Sequence, residues 1–122
     1  MKPSIHFKEG SKKAQAFFSI LPLDWQEGIV PYWNQYRHSS EVYLIEEEGE
    51  IIGGGILFTQ VTPDMMANAS LAQKYFDKAY VYLGFIWISE DKRGMGLGQF
   101  WLKKVFENNP NITFWLTIED PQ

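Results

Sequence analysis

The spacing of apolar and polar residues predicts an alternation of strands and helices along the chain. Alternating or continuous apolar residues predict strands at residues 5–7, 41–46, 51–61, 80–89 and 112–118. Apolar residues three and four positions apart predict helices at residues 11–21, 24–36, 62–78 and 97–107. Because no repeat or linker separates these elements, we expect one α/β (α+β) domain over residues 1–122, with a central sheet of about five strands flanked by helices.

Polar residues and prolines set the expected ends of the first three helices. Ser11 is the expected N-cap of the first helix, and Pro22 ends or bends that helix. Pro31 falls inside the apolar pattern of the second helix, so we expect a break or kink there. Thr62 or Asp64 is the expected N-cap of the third helix.

The strands at residues 41–46 and 51–61 form a predicted β-hairpin with an acidic tip at residues 46–50. Residues 53–55 of its second strand are three consecutive glycines. They indicate either a bulge or close backbone approach, or a loose turn before a shorter strand. The glutamates of the tip suit a cationic ligand, and a solvated turn explains the same residues more simply.

The fourth strand and the last helix carry the clearest patterns. Residues 80–88 are continuously apolar, which fits a central strand covered on both faces, and the run is far shorter than the ~20 residues of a membrane span. In the last helix, Leu97, Trp101 and Val105 recur every four positions while charged residues form the opposite face. We therefore expect the strand to lie in the core and the helix to pack against the sheet.

Composition narrows the range of possible chemistry. The chain has 11 Lys and Arg against 15 Asp and Glu, a net charge of −4, which argues against a general nucleic-acid binder. It has no cysteine and two histidines, so thiol chemistry and cysteine-ligated metals are excluded and a histidine-rich metal site is not expected. No secretion signal is evident, and we expect a cytoplasmic location. Aromatic residues, 16% of the chain, are expected to fill the core, with a ligand groove as the alternative.

A glycine-rich loop joins the fourth strand to the last helix. Gly94, Gly96 and Gly98 let backbone amides approach a ligand without intervening side chains. The start of the helix directs free N–H groups and a positive dipole end at the same place, which favours an anion. Lys92 and Arg93 add positive charge. The loop is not a Walker or dinucleotide loop, because no Lys-Ser or Lys-Thr pair follows it and its glycines are spaced G-x-G-x-G.

The pattern R-x-x-G-x-G at Arg93, Gly96 and Gly98 resembles motif A of the GNAT acyltransferase superfamily, whose loop binds the pyrophosphate of acetyl-coenzyme A. Ile88 ends the preceding strand five residues before Arg93, as in that family. The hairpin and the last strand are similar to the family's second, third and fifth strands. The resemblance covers residues 42–118 and implies a mixed, mainly antiparallel sheet, with acetyl-CoA or another acyl-CoA as co-substrate and no metal.

The resemblance also implies a role for each residue around the loop. Its backbone amides would hold the pyrophosphate, with the side chains of Lys92 and Arg93 near the phosphate oxygens. The exposed edge of the fourth strand would pair with the pantetheine amides as an added strand does. The amide of Ile86 would polarise the thioester carbonyl. The implied cofactor-binding residues are Ile86, Trp87, Ile88, Lys92, Arg93, Gly94, Met95, Gly96, Leu97, Gly98 and Gln99.

Proton transfer is where the sequence departs from the family pattern. A glutamate on the fourth strand often serves as base in the family, but residues 80–88 contain no carboxylate and Tyr82 stands at that place. The family's tyrosine acid follows the fifth strand, and we expect that acid, the family's fourth helix and its last two strands to be missing. Tyr82 and Glu119 are the catalytic candidates. The alternatives are a packed tyrosine and a solvated carboxylate.

The resemblance implies an enzyme, an N-acyltransferase that moves an acetyl group from CoA to a small-molecule or peptide amine by direct attack on the thioester. The alternative is a non-catalytic acyl-CoA-binding or regulatory module with a degenerate acyltransferase fold. No nucleic-acid or membrane partner is expected. The edge of the last strand predicts a homodimer or a partner that completes the sheet. The helix at residues 62–78 would either roof the acceptor site or cover apolar sheet.

Overall fold

A five-stranded sheet forms the centre of the described part of the chain, which in this computed structural model comprises residues 5–62, 65 and 69–116. The strands stand in chain order, and neighbours run antiparallel except for the last two, which run parallel. The predicted mixed, mainly antiparallel sheet is therefore confirmed. The strands are β1 (Ile5–Glu9), β2 (Ser40–Glu47), β3 (Glu50–Phe58), β4 (Val81–Ile88) and β5 (Phe114–Trp115).

Helices cover both faces of the sheet. The α-helices are α1 (Ala14–Phe18), α2 (Leu23–Ile29), α3 (Trp33–Tyr36), α4 (Ala69–Asp77) and α5 (Leu97–Asn108). Short 3-10 turns occur at Ser11–Lys13, Val30–Tyr32 and Glu90–Lys92. Within the described residues, no helix combines the length and the apolar character that crossing a membrane requires.

Two hydrophobic clusters lie on opposite faces of the sheet, because side chains alternate along each strand. Val42 belongs to the cluster beneath α1 to α4. The next residue, Tyr43, belongs to the other cluster, beneath α5, together with Leu97, Trp101 and Val105. The fourth strand is likewise covered on both faces, as its apolar run predicts, with Tyr82 in the first cluster and Leu83 in the second.

The three glycines of β3 lie in a continuous strand and allow neighbouring atoms to approach its backbone closely. A β-carbon on Gly54 would lie 2.6 Å from the carbonyl oxygen of Tyr43, and one on Gly55 would lie 2.6 Å from the indole of Trp101. The predicted close approach is confirmed, and the alternative of a loose turn is wrong. The strand ends at Phe58, three residues earlier than predicted.

The hairpin between β2 and β3 closes through a two-residue turn. Glu48 and Gly49 have φ angles of 51° and 86°, and positive φ at both positions is typical of a type I′ turn. Glu47 and Glu50 lie opposite each other at the two strand ends. The acidic tip predicted as a turn is therefore mostly strand.

The first two predicted helices are interrupted. Only Ala14–Phe18 of the first is α-helical, and Ser11 lies in the preceding 3-10 turn. The Ser11 hydroxyl donates to the Glu9 carboxylate and accepts the N–H of Val42, so the predicted N-cap is wrong because neighbouring strands supply its partners. The break predicted at Pro31 is confirmed, since α2 ends two residues before it and a 3-10 turn follows.

Helix α4 covers apolar sheet, which is the second of the two roles considered for it. Tyr75 and Phe76 contact Trp115 of β5, with ring centroids 4.8 and 5.7 Å apart. The helix begins at Ala69 in the described residues, and Thr62 lies outside it, so Thr62 is not its N-cap. Asp64, the other predicted cap, lies outside the described residues.

The last strand is shorter than the predicted residues 112–118. Only Phe114–Trp115 form β5, and residues 112, 113 and 116 are not in a strand. Residues 117 and 118 lie outside the described part of the chain.

Glu46 is a buried carboxylate that ties the first 3-10 turn and β1 to β2. Its side chain is 2% exposed, and its oxygens lie 3.0 Å from the ammonium of Lys8 and 2.9 Å from that of Lys13. The hydrogen bond from Lys13, assisted by Lys8, lowers the pKa of Glu46, although burial opposes the shift. The ion pairs therefore favour the folded chain as long as Glu46 is charged.

We expect Glu46→Gln to lower the free energy of unfolding at neutral pH by about 1–3 kcal/mol, because the two ammonium groups lose their negative partner and the glutamine amide keeps an acceptor oxygen for only one of them. The carboxylate's contribution is complete above its ordinary pKa of 4.5 and is lost as the pH falls through the lowered value. The difference from wild type should therefore shrink on acidification. Denaturant titrations at several pH values measure it.

Glu48→Gln is the matched control, because it removes the same charge from an exposed turn position two residues away. Its effect should stay within about 0.5 kcal/mol. An equal loss in both variants, or a Glu46→Gln effect that does not change with pH, would contradict the role of the ion pairs.

Candidate functional site

The glycine-rich loop after β4 places the start of α5 beside the end of that strand. A 3-10 turn at Glu90–Lys92 follows β4. Gly94 and Gly96 then have φ angles of 82° and 77°, a conformation that a residue with a β-carbon adopts only at a cost. These two glycines make the tight reversal from which α5 begins at Leu97.

The first turn of α5 presents backbone donors to the outside of the loop. Gly96 is the N-cap residue and offers no side-chain hydrogen bond to the helix. The amides of Leu97, Gly98 and Gln99 precede the first intrahelical bond, which runs from Phe100 N–H to the Gly96 carbonyl at 3.0 Å. Within the described structure, a β-carbon on Gly98 would meet no atom within 4 Å. The arrangement therefore leaves room for an anion at the positive end of the helix.

Arg93 folds back onto the end of β4. Its Nε donates to the carbonyl oxygen of Ile88 at 2.9 Å, and its guanidinium carbon lies 4.3 Å from the ring centroid of Trp87. Both partners are uncharged, so neither of them neutralises the positive charge of Arg93 beside the loop.

Lys92 forms an ion pair with the tip of the hairpin. Its ammonium lies 2.7 Å from the carboxylate of Glu47. The hydrogen bond and the charge of Glu47 raise the pKa of Lys92 above its ordinary value, because they stabilise the ammonium form. No local sequence pattern connects Glu47 to the loop, because Glu47 and Lys92 lie 45 positions apart.

A bulge divides β4 into two halves. Gly54 and Ile56 of β3 pair with Trp87 and Gly84, so two residues of β4 stand opposite Gly55. Phe85, one of those two, has a positive φ of 53°. Its ring contacts Phe58, as the ring of Tyr82 does, although residues three apart in a regular strand face opposite ways.

The half of β4 after the bulge presents an edge for an added chain. In the described residues, β5 pairs with β4 only at Val81 and Tyr82. Ser89 N–H donates to the Ile52 carbonyl at 2.8 Å, so the backbone groups of Ser89 face β3. Because the direction of these groups alternates along a strand, those of Ile88 and Ile86 face away from β3. The family resemblance implied pairing with pantetheine along Ile86, Trp87 and Ile88. The groups of Ile86 and Ile88 face outwards, whereas Trp87 stands opposite Gly54 of β3.

Beneath this edge lies an aromatic cluster that the sequence did not identify as part of the site. Trp25 of α2 contacts Phe85 and Trp87, with ring centroids 6.2 and 5.2 Å apart. All three side chains are half-buried. The helical spacing around Trp25 predicted an apolar face but did not reveal which strand it would contact.

The remaining predicted site residues lie at the loop and the start of α5, in the core, and outside the described part of the chain. Met95 is 55% exposed at the tip of the loop, whereas Leu97 is buried beneath α5 and helps to fix the helix. Tyr82 is 5% exposed, and its ring lies 4.5 Å from that of Trp115 in the core. Glu119 lies outside the described residues. Among those that are described, no cluster of three or more His, Asp or Glu side chains could hold a metal ion.

Comparisons with known proteins point to one family. The model of the acetyltransferase (GNAT) family matches residues 12–120. No curated protein matches the sequence. Among solved structures, the chain is similar to a predicted acetyltransferase with acetyl-CoA from Clostridium acetobutylicum, with 16% identity, a TM-score of 0.63 and coverage of 95% of this chain and 82% of that one.

Two other structures have the same fold at comparable distance. A putative acetyltransferase of the GNAT family from Xanthomonas campestris pv. campestris is 14% identical, with a TM-score of 0.65 and coverage of 98% of this chain and 79% of that chain. An aminoglycoside acetyltransferase from an uncultured soil metagenomic sample is 12% identical, with a TM-score of 0.62 and coverage of 98% and 81%. At these identities the likeness establishes the fold alone.

Two single substitutions test the loop geometry. We expect Gly96→Ala to lower the free energy of unfolding by about 1–2 kcal/mol, because a β-carbon opposes the left-handed conformation. Gly98→Ala should be neutral or should raise it by up to about 1 kcal/mol, because alanine is the better helix former and meets no other atom there. Denaturant titration of both variants measures the difference. Equal effects would contradict the assigned backbone of the loop.

Proposed function

Because this chain belongs to the GNAT acetyltransferase family, we propose that it is an N-acyltransferase that moves an acetyl group from acetyl-CoA to an amine. One observation carries the proposal: the free amides at the start of α5 and the open edge of β4 adjoin, and together suit a ligand with a phosphate end and an amide-containing arm. We further propose a cytoplasmic setting, from the composition of the chain.

The two parts of the site divide the binding between them. The amides of Leu97, Gly98 and Gln99 would hold the pyrophosphate, with the cationic groups of Lys92 and Arg93 beside it. Backbone groups of Ile86 and Ile88 would pair with the pantetheine arm as a strand pairs with its neighbour. Arg93 Nε would leave the Ile88 carbonyl when the arm needs that acceptor.

Acetyl-CoA supplies a thioester, whose carbonyl carbon bonds to the amine nitrogen while the bond to sulfur breaks. The Ile86 amide would donate to the carbonyl oxygen as negative charge develops there. The amine must lose a proton and the departing sulfur benefits from gaining one. We retain Tyr82 and Glu119 as candidates for these proton transfers.

The acceptor is proposed to be a cationic small molecule or peptide, because acidic side chains such as those of the hairpin tip would attract it.

A second candidate function is a module that binds acyl-CoA without turnover. The observation that favours it is the environment of Tyr82, whose ring packs in the core between Phe58 and Trp115. Residues 80–88 also contain no carboxylate that could act as base. Binding and turnover must therefore be measured separately.

We expect calorimetric titration to show micromolar binding of CoA and acetyl-CoA to the wild-type chain. Gly98→Leu should weaken binding at least about tenfold, because its side chain would fill the space at the first turn of α5 where the phosphates are proposed to lie. We expect its fold to be kept, since a β-carbon at this position would have no atom within 4 Å outside the neighbouring helix backbone. Circular dichroism checks the fold of the variant.

Lys103→Leu is the matched control, because it adds the same side chain to α5 on its exposed face, away from the loop. It should bind CoA like the wild type. Failure of the wild type to bind at millimolar ligand would contradict the cofactor assignment. Binding without release of free CoA across a panel of amines would favour the non-catalytic module.

We also propose that a second copy of the chain, or another partner, docks at β5, the last strand of the described sheet. Ile112, Leu116 and Phe106 beside it are 41–48% exposed. Sedimentation at high protein concentration should show a dimer that Leu116→Lys weakens. Leu71→Lys, a like change at an equally exposed position on α4, should not. A monomer at every concentration would contradict the homodimer.

A further inference from the structure

The tip of the β2–β3 hairpin brings carboxylates to the cofactor loop. Glu47 and Glu50 lie opposite each other where the strands join the turn. Lys92 is held between this tip and the loop, with its ammonium 2.7 Å from Glu47, and the charge of Glu50 also acts on it. Like charges opposite each other in a hairpin repel, so Lys92 relieves a strain that the tip would otherwise have.

The two cations of the loop consequently differ in what they can offer an anion. Arg93 interacts with a carbonyl oxygen and an aromatic ring, and neither cancels its charge. Lys92 interacts with a carboxylate at ion-pair distance, which offsets part of its positive charge at short range. Carboxylates of Glu90 and Asp91 in the adjoining 3-10 turn add further negative charge nearby.

We propose that Glu47 determines the affinity of the loop for the phosphates of its ligand, by competing with them for Lys92. This inference rests on the proposed function and adds a residue from outside the loop to it. An anion at the start of α5 draws Lys92 towards itself, and either the ion pair breaks or a phosphate is brought close to a carboxylate. Both outcomes weaken binding relative to a site in which Lys92 is unpaired.

The position of Glu47 makes this competition testable without unfolding the chain. Its side chain is 20% exposed and that of Lys92 is 28% exposed, so water can replace either partner. The hairpin itself is closed by the backbone ladder and by the turn at Glu48 and Gly49. Removing the charge of Glu47 therefore leaves the local fold intact.

The experiment is calorimetric titration of CoA into wild type, Glu47→Gln and Glu48→Gln. Glu47→Gln should bind CoA about two- to fivefold more tightly, the fold-change that corresponds to an exposed ion pair. Glu48→Gln removes the same charge from the same tip but lies in the exposed turn, and it should change affinity by clearly less. In a Lys92→Gln background, Glu47→Gln should give no more than the Glu48→Gln change.

Each other result overturns the inference. Weaker binding by Glu47→Gln would mean that Glu47 positions Lys92 for the phosphates instead of withholding it. Equal tightening in both variants, or tightening that persists without Lys92, would mean that only the general charge of the tip matters. If neither the wild type nor Glu47→Gln binds CoA, the proposed function is overturned as well. If both bind CoA and only the expected difference between them is missing, the role of Glu47 alone is overturned.

Discussion

The contact between Trp101 and Gly55 of β3 fixes the rest of the site. The indole is fully buried, and its Nε1 donates to the carbonyl oxygen of Tyr43 at 3.1 Å. A side chain at Gly55 would occupy the same space. Because Trp101 lies about one helical turn beyond Leu97, anchoring it at the sheet centre also fixes the start of α5. The loop then has little freedom, and its two left-handed glycines complete a connection whose ends are already placed.

The bulge in β4 has a comparable consequence for the edge of that strand beside the loop. In a strand without the bulge, the side chain of Phe85 would point to the face of the sheet that α5 covers. The backbone N–H and C=O groups after Phe85 would also keep the register of the residues before it. The extra residue turns Phe85 towards α2 and shifts the register of the strand that follows. The strand therefore pairs with β5 at its beginning and presents backbone groups beside the loop at its end.

The sequence predicted those features that depend on local patterns. The period of apolar residues identified the five strands and the last helix, and the glycine spacing identified the loop. Features that depend on distant partners were not predictable. Serine is a residue type favoured at helix N-caps, but the Ser11 hydroxyl bonds to Glu9 and Val42. The ion pairs of Glu46 and of Lys92 join residues more than thirty positions apart. The bulge at Phe85 was also hidden, because a continuous apolar run carries no alternation whose interruption could be seen.

The proposed anion site at the start of α5 is built from backbone donors, and such a site is compatible with a chain of net negative charge. Amide dipoles are fixed by the helix, and a neighbouring carboxylate cannot form an ion pair with them as Glu47 does with Lys92. They also act within hydrogen-bond distance, where they outweigh charges that lie farther off and are screened by salt. Side-chain cations can then adjust affinity without being essential to it.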